Sequence, residues 1–499
     1  MAASLRREEL WTLRTGGIPS WLISLGSHAA LLTVLAFLYF DLPSKASELT
    51  MESEVIEIPE APVIPLDIEP APLAETPQVL DTPVDQPTNV PSVAAAAPAG
   101  DGGATATDTD TPTVGMSANA AIEGLAAANL PVGKARTEGF GARGTGKAVA
   151  IATGKGTLAT EFAVTTGLDW MVSHQVQDGS WHLDHSQRSK GPTTGIGETR
   201  SHMAATALAL LPFLAANHTH KTGGHKATVK KGLQWMIANQ QASGLLAAKD
   251  DQQPMYTHGL ATIVLCEAYG LTKDPVFQAY AQKAIDFTVK CQNKEGAWRY
   301  APTSPDSDTS VFGWMFMSLK SAKMAGLRVE QKAFDNAMKY LKTAAVDKQL
   351  GLFAYQAGGP ATPAMSAIGL LCHQYMGKGR NDELIKKGVE HLVKVFPPEK
   401  QGQPYYWYYS TQVVHHYQGA EWDRWNRAMR KIWVEKQNRD KESPDFGSWD
   451  PRDFNKNEHD LKSGGRHYLT AIGLLTLEVY YRYLPLYEAS ADSKMASAN

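Results

Sequence analysis

Gln175-Val-Gln-Asp-Gly179-Ser-Trp181 and Gln292-Asn-Lys-Glu-Gly296-Ala-Trp298 are two copies of one phrase: Gln at the end of an amphipathic stretch, then Gly, any residue, and Trp. The reading is structural. Gln can bond free carbonyls at a helix end, Gly takes backbone angles that a β-carbon disfavours, and Trp covers the turn. Around these turns a unit of about 50 residues repeats six times, which matches no strand-bearing repeat. Each unit opens on an amphipathic helix, led by Gly167, Gly232, Ala284, Ala337, Gly388 and Trp422, with apolar residues at helical spacing such as Leu168, Met171 and Val172. A second helix follows, apolar nearly all round, from about His202, His258, Thr309, Ser366, Thr411 and Leu469. The pattern predicts an all-α body, an (α/α)6 toroid of six helical hairpins over residues 158–488. The polar-faced helices form an outer layer and the apolar ones an inner layer. No long alternating Val/Ile-rich run is present, so no sheet is expected.

Residues before about 157 lack a core pattern. Trp21 to Phe40 is a mostly apolar run without formal charge, long enough to cross a hydrocarbon core, and residues 18–40 are expected to form one transmembrane helix. Arg6, Arg7 and Arg14 precede it, while Asp41, Glu48, Glu52 and Glu54 follow. That asymmetry puts a tail of residues 1–17 in the cytoplasm and the C-terminal body outside it, on the periplasmic face of an inner membrane. Residues 41–157 read as a disordered linker, first acidic and Pro-rich, then Gly/Ala-rich, with a further disordered tail over 489–499. Within the linker Gly141-Ala-Arg-Gly-Thr-Gly146-Lys147-Ala148 has the spacing of a phosphate loop. Ala148 stands where the motif needs Ser or Thr and no buried strand precedes it, so no nucleotide is expected. A formal net charge of −3 and the lack of interleaved basic and aromatic residues argue against nucleic acid as a partner. Three cysteines, Cys266, Cys291 and Cys372, make no disulfide framework, and no metal-ligand spacing groups them with His373, His415 or His416. No metal or cofactor is expected.

The Gln–Gly–Trp turns and the six-hairpin count resemble the Gln-Trp repeats of squalene and terpenoid cyclases, a fold shared with protein prenyltransferases. Gly447-Ser-Trp449 is a third Gly-x-Trp; Gln240 with Gly244 lacks the Trp, and the turn at Gly351 has Phe353. The resemblance implies a toroid and, in its cyclase members, an Asp that protonates an alkene from an Asp-x-Asp-Asp-Thr-Ala motif. Pro305-Asp306-Ser307-Asp308-Thr309-Ser310 aligns there, with Ser307 at the proton-donor position. At the other end of the chain, Ser24 and His28 lie on one face of the anchor helix, a spacing similar to that of TonB-type coupling proteins. This implies a motor-like membrane partner; the alternative is that both residues are merely tolerated in lipid.

Aligning the six inner helices on their apolar cores puts His202, His258, Asp308, Ala364, Tyr409 and Tyr468 at equivalent starts, which a closed ring would gather around one mouth. Asp308, Asp306, His258 and His202 are the candidate catalytic residues. Tyr256, Trp314, Trp407, Tyr409, Tyr468 and Arg466 are the candidate substrate-binding residues. Free N–H groups at a helix start should lower the pKa of Asp308. Two functions stay open: a binding or scaffold module whose rim reads a lipid, peptide or glycan, or an enzyme acting on an isoprenoid or other apolar substrate. A large dry interior would favour the enzyme, and an interior filled by side chains the binding module.

Overall fold

A computed structural model describes residues 140–144, 146–454 and 459–483. The anchor over residues 18–40, Ser24 and His28, the linker up to residue 139 and the C-terminal tail lie outside the described residues. Among those described, no helix is long and apolar enough to cross a membrane.

Among the described residues, twelve long α-helices alternate between two layers. The outer ones are α2 (Leu158–Ser173), α4 (Lys226–Ala238), α6 (Pro275–Lys290), α8 (Gln331–Ala344), α10 (Glu383–Val395) and α13 (Gly419–Lys436). The inner ones are α3 (His202–Ala215), α5 (Pro254–Thr272), α7 (Thr309–Ala325), α9 (Pro363–Tyr375), α12 (Pro404–Tyr417) and α14 (His459–Leu477). Each inner helix packs on the next, and α14 packs back on α3, so the ring closes. Three short α-helices, α1 (Lys147–Thr153), α11 (Pro398–Gln401) and α15 (Val479–Arg482), and three 3-10 turns, Gly141–Arg143, His185–Arg188 and Pro451–Asp453, complete the described body.

Inner helices bury all their faces because both layers and the ring axis surround them. All residues from Pro404 to Tyr417 in α12 are buried, and α3 buries an unbroken run from Ala205 to Ala215. Outer helices bury one stripe, as α10 does with Ile385, Gly388, Val389, Leu392 and Val393.

The turn phrase works over a longer range than the helix end. Gln175 Nε2 donates to the carbonyl of Gly179 at 2.9 Å and to that of Thr228, in the next outer helix, at 3.0 Å. Gln240 does the same to Gly244 and Tyr280, and Gln292 to Gly296 and Ala333. Gln437, at the end of α13, donates to Gly447 and to Ala163 of α2, both at 2.8 Å. The last outer helix is thus stapled to the first by the bond found at three other junctions. Trp181, Trp298 and Trp449 are buried, and each indole N–H donates to a carbonyl at the end of its own outer helix: Met171, Thr288 and Trp433.

The inner helices α5, α9 and α12 begin at Pro254, Pro363 and Pro404, ahead of the expected His258, Ser366 and Thr411. Proline suits the first helical position, where its missing N–H costs nothing. A second departure is a two-stranded antiparallel ribbon, Ala345–Asp347 with Leu352–Phe353, at the Gly351 turn where sequence predicts no strand. The body also begins earlier than residue 158. Phe140 packs against Gly270 of α5, Arg143 is buried, and α1 packs on α15.

Candidate functional site

Asp308 is the N-cap of α7. Its Oδ1 accepts from the backbone N–H of Ser310 (3.0 Å) and Val311 (2.8 Å) and from the Ser310 hydroxyl (2.6 Å). Oδ2 makes no hydrogen bond and lies 3.9 Å from Arg299 Nε. The helix start does supply the expected N–H groups, yet the pKa of Asp308 is raised, because burial outweighs the hydrogen bonds that favour the anion. The side chain is fully closed to solvent, which is the condition the sequence does not reveal.

Around this cap lie groups from three neighbouring hairpins. The Tyr256 hydroxyl, from α5, donates to Ser310 Oγ, and the Tyr256 ring stacks on Tyr300 with centroids 5.9 Å apart. The Tyr405 hydroxyl, from α12 across the axis, donates to the Ser310 carbonyl at 3.3 Å. Behind Tyr405, the Trp314, Tyr408 and Tyr409 rings pack on one another at 5.1–5.6 Å. Asp306 is part-exposed and ion-paired with Arg299, and Gln356 Nε2 reaches the Ser307 carbonyl at 3.3 Å. The hydroxyls of Tyr300 and Tyr355 bond each other. Burial drives the pKa of Tyr256 and Tyr355 well above the usual phenol value, so both act as neutral hydrogen-bonding groups.

The ring therefore gathers Asp308, Asp306, Tyr256, Trp314 and Tyr409 but not the remaining candidates. His258 is wholly buried; its Nδ1 accepts the Leu246 N–H at 3.1 Å and its Nε2 meets Thr288 Oγ1 at 3.0 Å. The backbone N–H after the turn is taken at Trp181 by Thr206, at Phe353 by Ser366 and at Trp449 by Thr470, so His258 fills a hydroxyl's scaffolding place. His202 is exposed and stacks on His182 of its own hairpin, centroids 3.7 Å apart. Trp407 packs between layers against Trp433 and Phe454. Arg466 is a buried clamp: it pairs with Asp450 at 2.5 Å and Asp445 at 3.2 Å and donates to the Thr194 carbonyl. Tyr468 is half-buried in α14, its ring lying over Gly464.

Sequence reasoning missed Arg299, Tyr300, Tyr355 and Gln356. A signal existed: Tyr300 follows Trp298 by two residues, and Tyr355 follows Phe353 by two. A residue two beyond the turn aromatic leaves the turn on the same side of the chain.

The arrangement offers hydrogen-bonding and ionic recognition. The proton-donor position is Ser307, buried and held by Asn293, whose Nδ2 donates to its Oγ at 2.9 Å. Two surface hollows, one beside Gln437, Asp450 and Arg452 and one beside Gln278, Gln282 and Arg328, lie outside the inner ring.

Residues 143–256 match the family model of the squalene-hopene cyclase C-terminal domain. No curated protein is detectably similar in sequence. Among solved structures, the GH76A α-1,6-mannanase of Salegentibacter sp. HEL1_6 is 12% identical with a TM-score of 0.45, over 65% of this chain and 99% of that one. The cellobiose 2-epimerase of Spirochaeta thermophila is 9% identical with a TM-score of 0.45, over 68% and 98%. The type II terpene cyclase MstE from Scytonema, in complex with geranylgeranyl dihydroxybenzoate, is 11% identical with a TM-score of 0.41, over 65% and 97%. The closed double ring of hairpins makes this chain an α/α toroid, and its residues 143–256 are similar to the squalene-hopene cyclase C-terminal domain.

Proposed function

We propose that this chain is a membrane-anchored, extracytoplasmic toroid that binds a lipid, peptide or glycan at the rim around Asp308, without alkene-protonating cyclisation. The observation that carries the reading is the ring packing on the inner layer: α12 is buried from end to end, and Trp314 packs on Tyr408 and Tyr409 with centroids 5.4 and 5.6 Å apart, as side chains that fill one another's space do. Ser307 at the acid position supports it, since a hydroxyl bonded to Asn293 is no acid for an alkene. At the rim, Arg299, Asp306, Gln356 and the half-buried Tyr256 and Tyr300 supply both charges and aromatic faces. The family match favours the enzymatic alternative, so the chain should also be incubated with squalene; a cyclised product would reject the proposal outright.

The binding test uses the full chain purified from membranes, with retained molecules identified by mass spectrometry. Asp308→Asn keeps much of the helix cap and removes the charge, whereas Asp308→Ala removes both and should cost about 1 kcal/mol more stability. We expect the retained molecule to be lost from both variants while melting falls mainly for Ala. Retention by Asn equal to wild type would reduce Asp308 to a cap.

The anchor reading is tested separately, with reporters that work in only one compartment fused to each end. Activity of an extracytoplasmic reporter at the C-terminus and of a cytoplasmic one at the N-terminus is expected. Cytoplasmic activity at the C-terminus would overturn the topology. Failure of a motor-complex crosslink to Ser24 or His28 would remove only that partner.

A further inference from the structure

Away from the Asp308 rim, toward the C-terminal ends of the inner helices, the segment from Phe140 to Gly156 crosses the body as a strap. It holds the Gly-rich stretch with phosphate-loop spacing, and its two cations point at carboxylates. Arg143 Nη1 pairs with Glu267 Oε2 of α5 at 2.7 Å and donates to the Leu214 carbonyl at the end of α3. Lys147 Nζ lies 3.2 Å from Glu161 Oε2 of α2 and 4.4 Å above the Tyr481 ring. Arg482 of α15 completes the group, 3.1 Å from Glu267 Oε1. Glu478, whose carbonyl accepts the Arg482 N–H at 3.0 Å, lies within electrostatic reach of Lys147, Arg482 and Arg143. The cradle beneath the strap is thus built from three carboxyls and one guanidinium, and the strap contributes the other two cations.

Two features make the strap resemble a bound peptide more than a piece of core. Its backbone–backbone hydrogen bonds are all internal, such as Lys147 N to Gly144 O and Gly156 N to Ile151 O. Its polar ties to the body all run through side chains, Arg143 and Lys147 at one end and Lys155 on Asp423 with Trp422, Asn426 and Arg430 on the Gly154 and Lys155 carbonyls at the other, while Phe140 and Ile151 add apolar contacts. The cradle is also not fully used. Both carboxyl oxygens of Glu478, a residue closed to solvent, and Oε1 of Glu161 have no hydrogen-bond partner. A buried carboxyl without a donor is costly and is the feature a further cation would relieve.

We infer that the cradle formed by Glu161, Glu267, Glu478 and Arg482 is a binding site for a basic peptide, occupied in cis by the strap through Arg143 and Lys147. A ligand that carries a third cation toward Glu478 competes with the strap, and its binding frees the strap. Gly141, Gly144 and Gly146 let the strap leave the cradle without a strained backbone.

The test uses the full chain and two fluorescent peptides: residues 139–150, and the same peptide with Lys at Ala150, one turn from Lys147 on its helix face. The double variant Arg143→Ala, Lys147→Ala should leave the cradle open. Anisotropy should show the first peptide binding the double variant at least tenfold more tightly than wild type, and the Lys-bearing peptide binding tighter again by about tenfold. No binding to a folded double variant, or equal binding to both chains, would overturn the site. No gain from the extra Lys would overturn the role of Glu478. Hydrogen exchange on the unmodified protein covers the case in which the double variant fails to fold. Strap amides over 146–153 should exchange at least tenfold faster than those of α5; equal protection would make the strap an inseparable part of the body.

Discussion

Between pH 7 and pH 5 the body is expected to lose about 6 kcal/mol of folding stability from three histidines alone, about 2 kcal/mol from each. His258, His415 and His467 are closed to solvent. Burial depresses the pKa of each to about 3, from an ordinary value of 6.5. The sign follows from the order of the two values. With the folded-state pKa below the unfolded one, the stability these groups confer is fully present above 6.5. It is lost as pH falls from there toward 3, because the unfolded chain takes up protons that the folded one refuses. Glu478 works the other way: burial raises its pKa, so the folded state holds that proton more firmly and returns part of the loss. Total stabilities are typically 5–15 kcal/mol, so the histidine term alone can bring the body near its unfolding midpoint. Urea melts at pH 7, 6 and 5 measure it. His415 packs edge-on against Trp422, with ring centroids 4.8 Å apart, so His415→Phe should keep the packing and lower the pH slope by one proton. An unchanged slope would mean that His415 is not held neutral in the folded chain.

Gly296→Ala should destabilise the body by about 3 kcal/mol or more, whereas Gly326→Ala should cost only about 1 kcal/mol. Both glycines have positive φ, +95° and +83°, so both substitutions carry the same left-handed backbone cost. What differs is the space. At Gly296 a β-carbon would lie 2.7 Å from the Asn336 carbonyl carbon and closer still to its oxygen, which belongs to the backbone of α8 and cannot step aside. At Gly326 nothing lies within 4 Å. The difference between the variants, read by chemical denaturation, isolates the close approach of a turn to the next outer helix. Equal effects would reduce Gly296 to an ordinary turn glycine.

That close approach explains how far the sequence could be read. Gln, Gly and Trp are local and visible at Gln175 and Gln292, and the six hairpins follow from apolar spacing. The second acceptor of each Gln is not local: it lies 40 to 53 residues further on, so the staple between outer helices escapes a reading that stops at the turn. Gln437 does not show the turn spacing, since ten residues separate it from Gly447 where four separate Gln175 from Gly179. At the rim, Asp308 was legible as a cap before an apolar helix. The apolar pattern places His258 at a helix start, but the helix begins at Pro254, so His258 lies buried in its second turn and not on the rim. Arg143 and Lys147 were hidden by composition. A Gly-rich stretch carries no periodicity, and what orders it is the placement of Glu267 and Glu161, set by helices elsewhere in the chain.

The Gln437 to Ala163 bond has a topological consequence. Because α14 packs back on α3 and the seam between the last and first outer helices carries the stitch of three other turns, no hairpin is terminal in space, and the ring has no structural beginning. Its order of assembly is then not dictated by the order of synthesis. A gene rearranged to start at α4 and to run through the old ends by a short bridge describes the same circle, with the strap now an internal bridge across it.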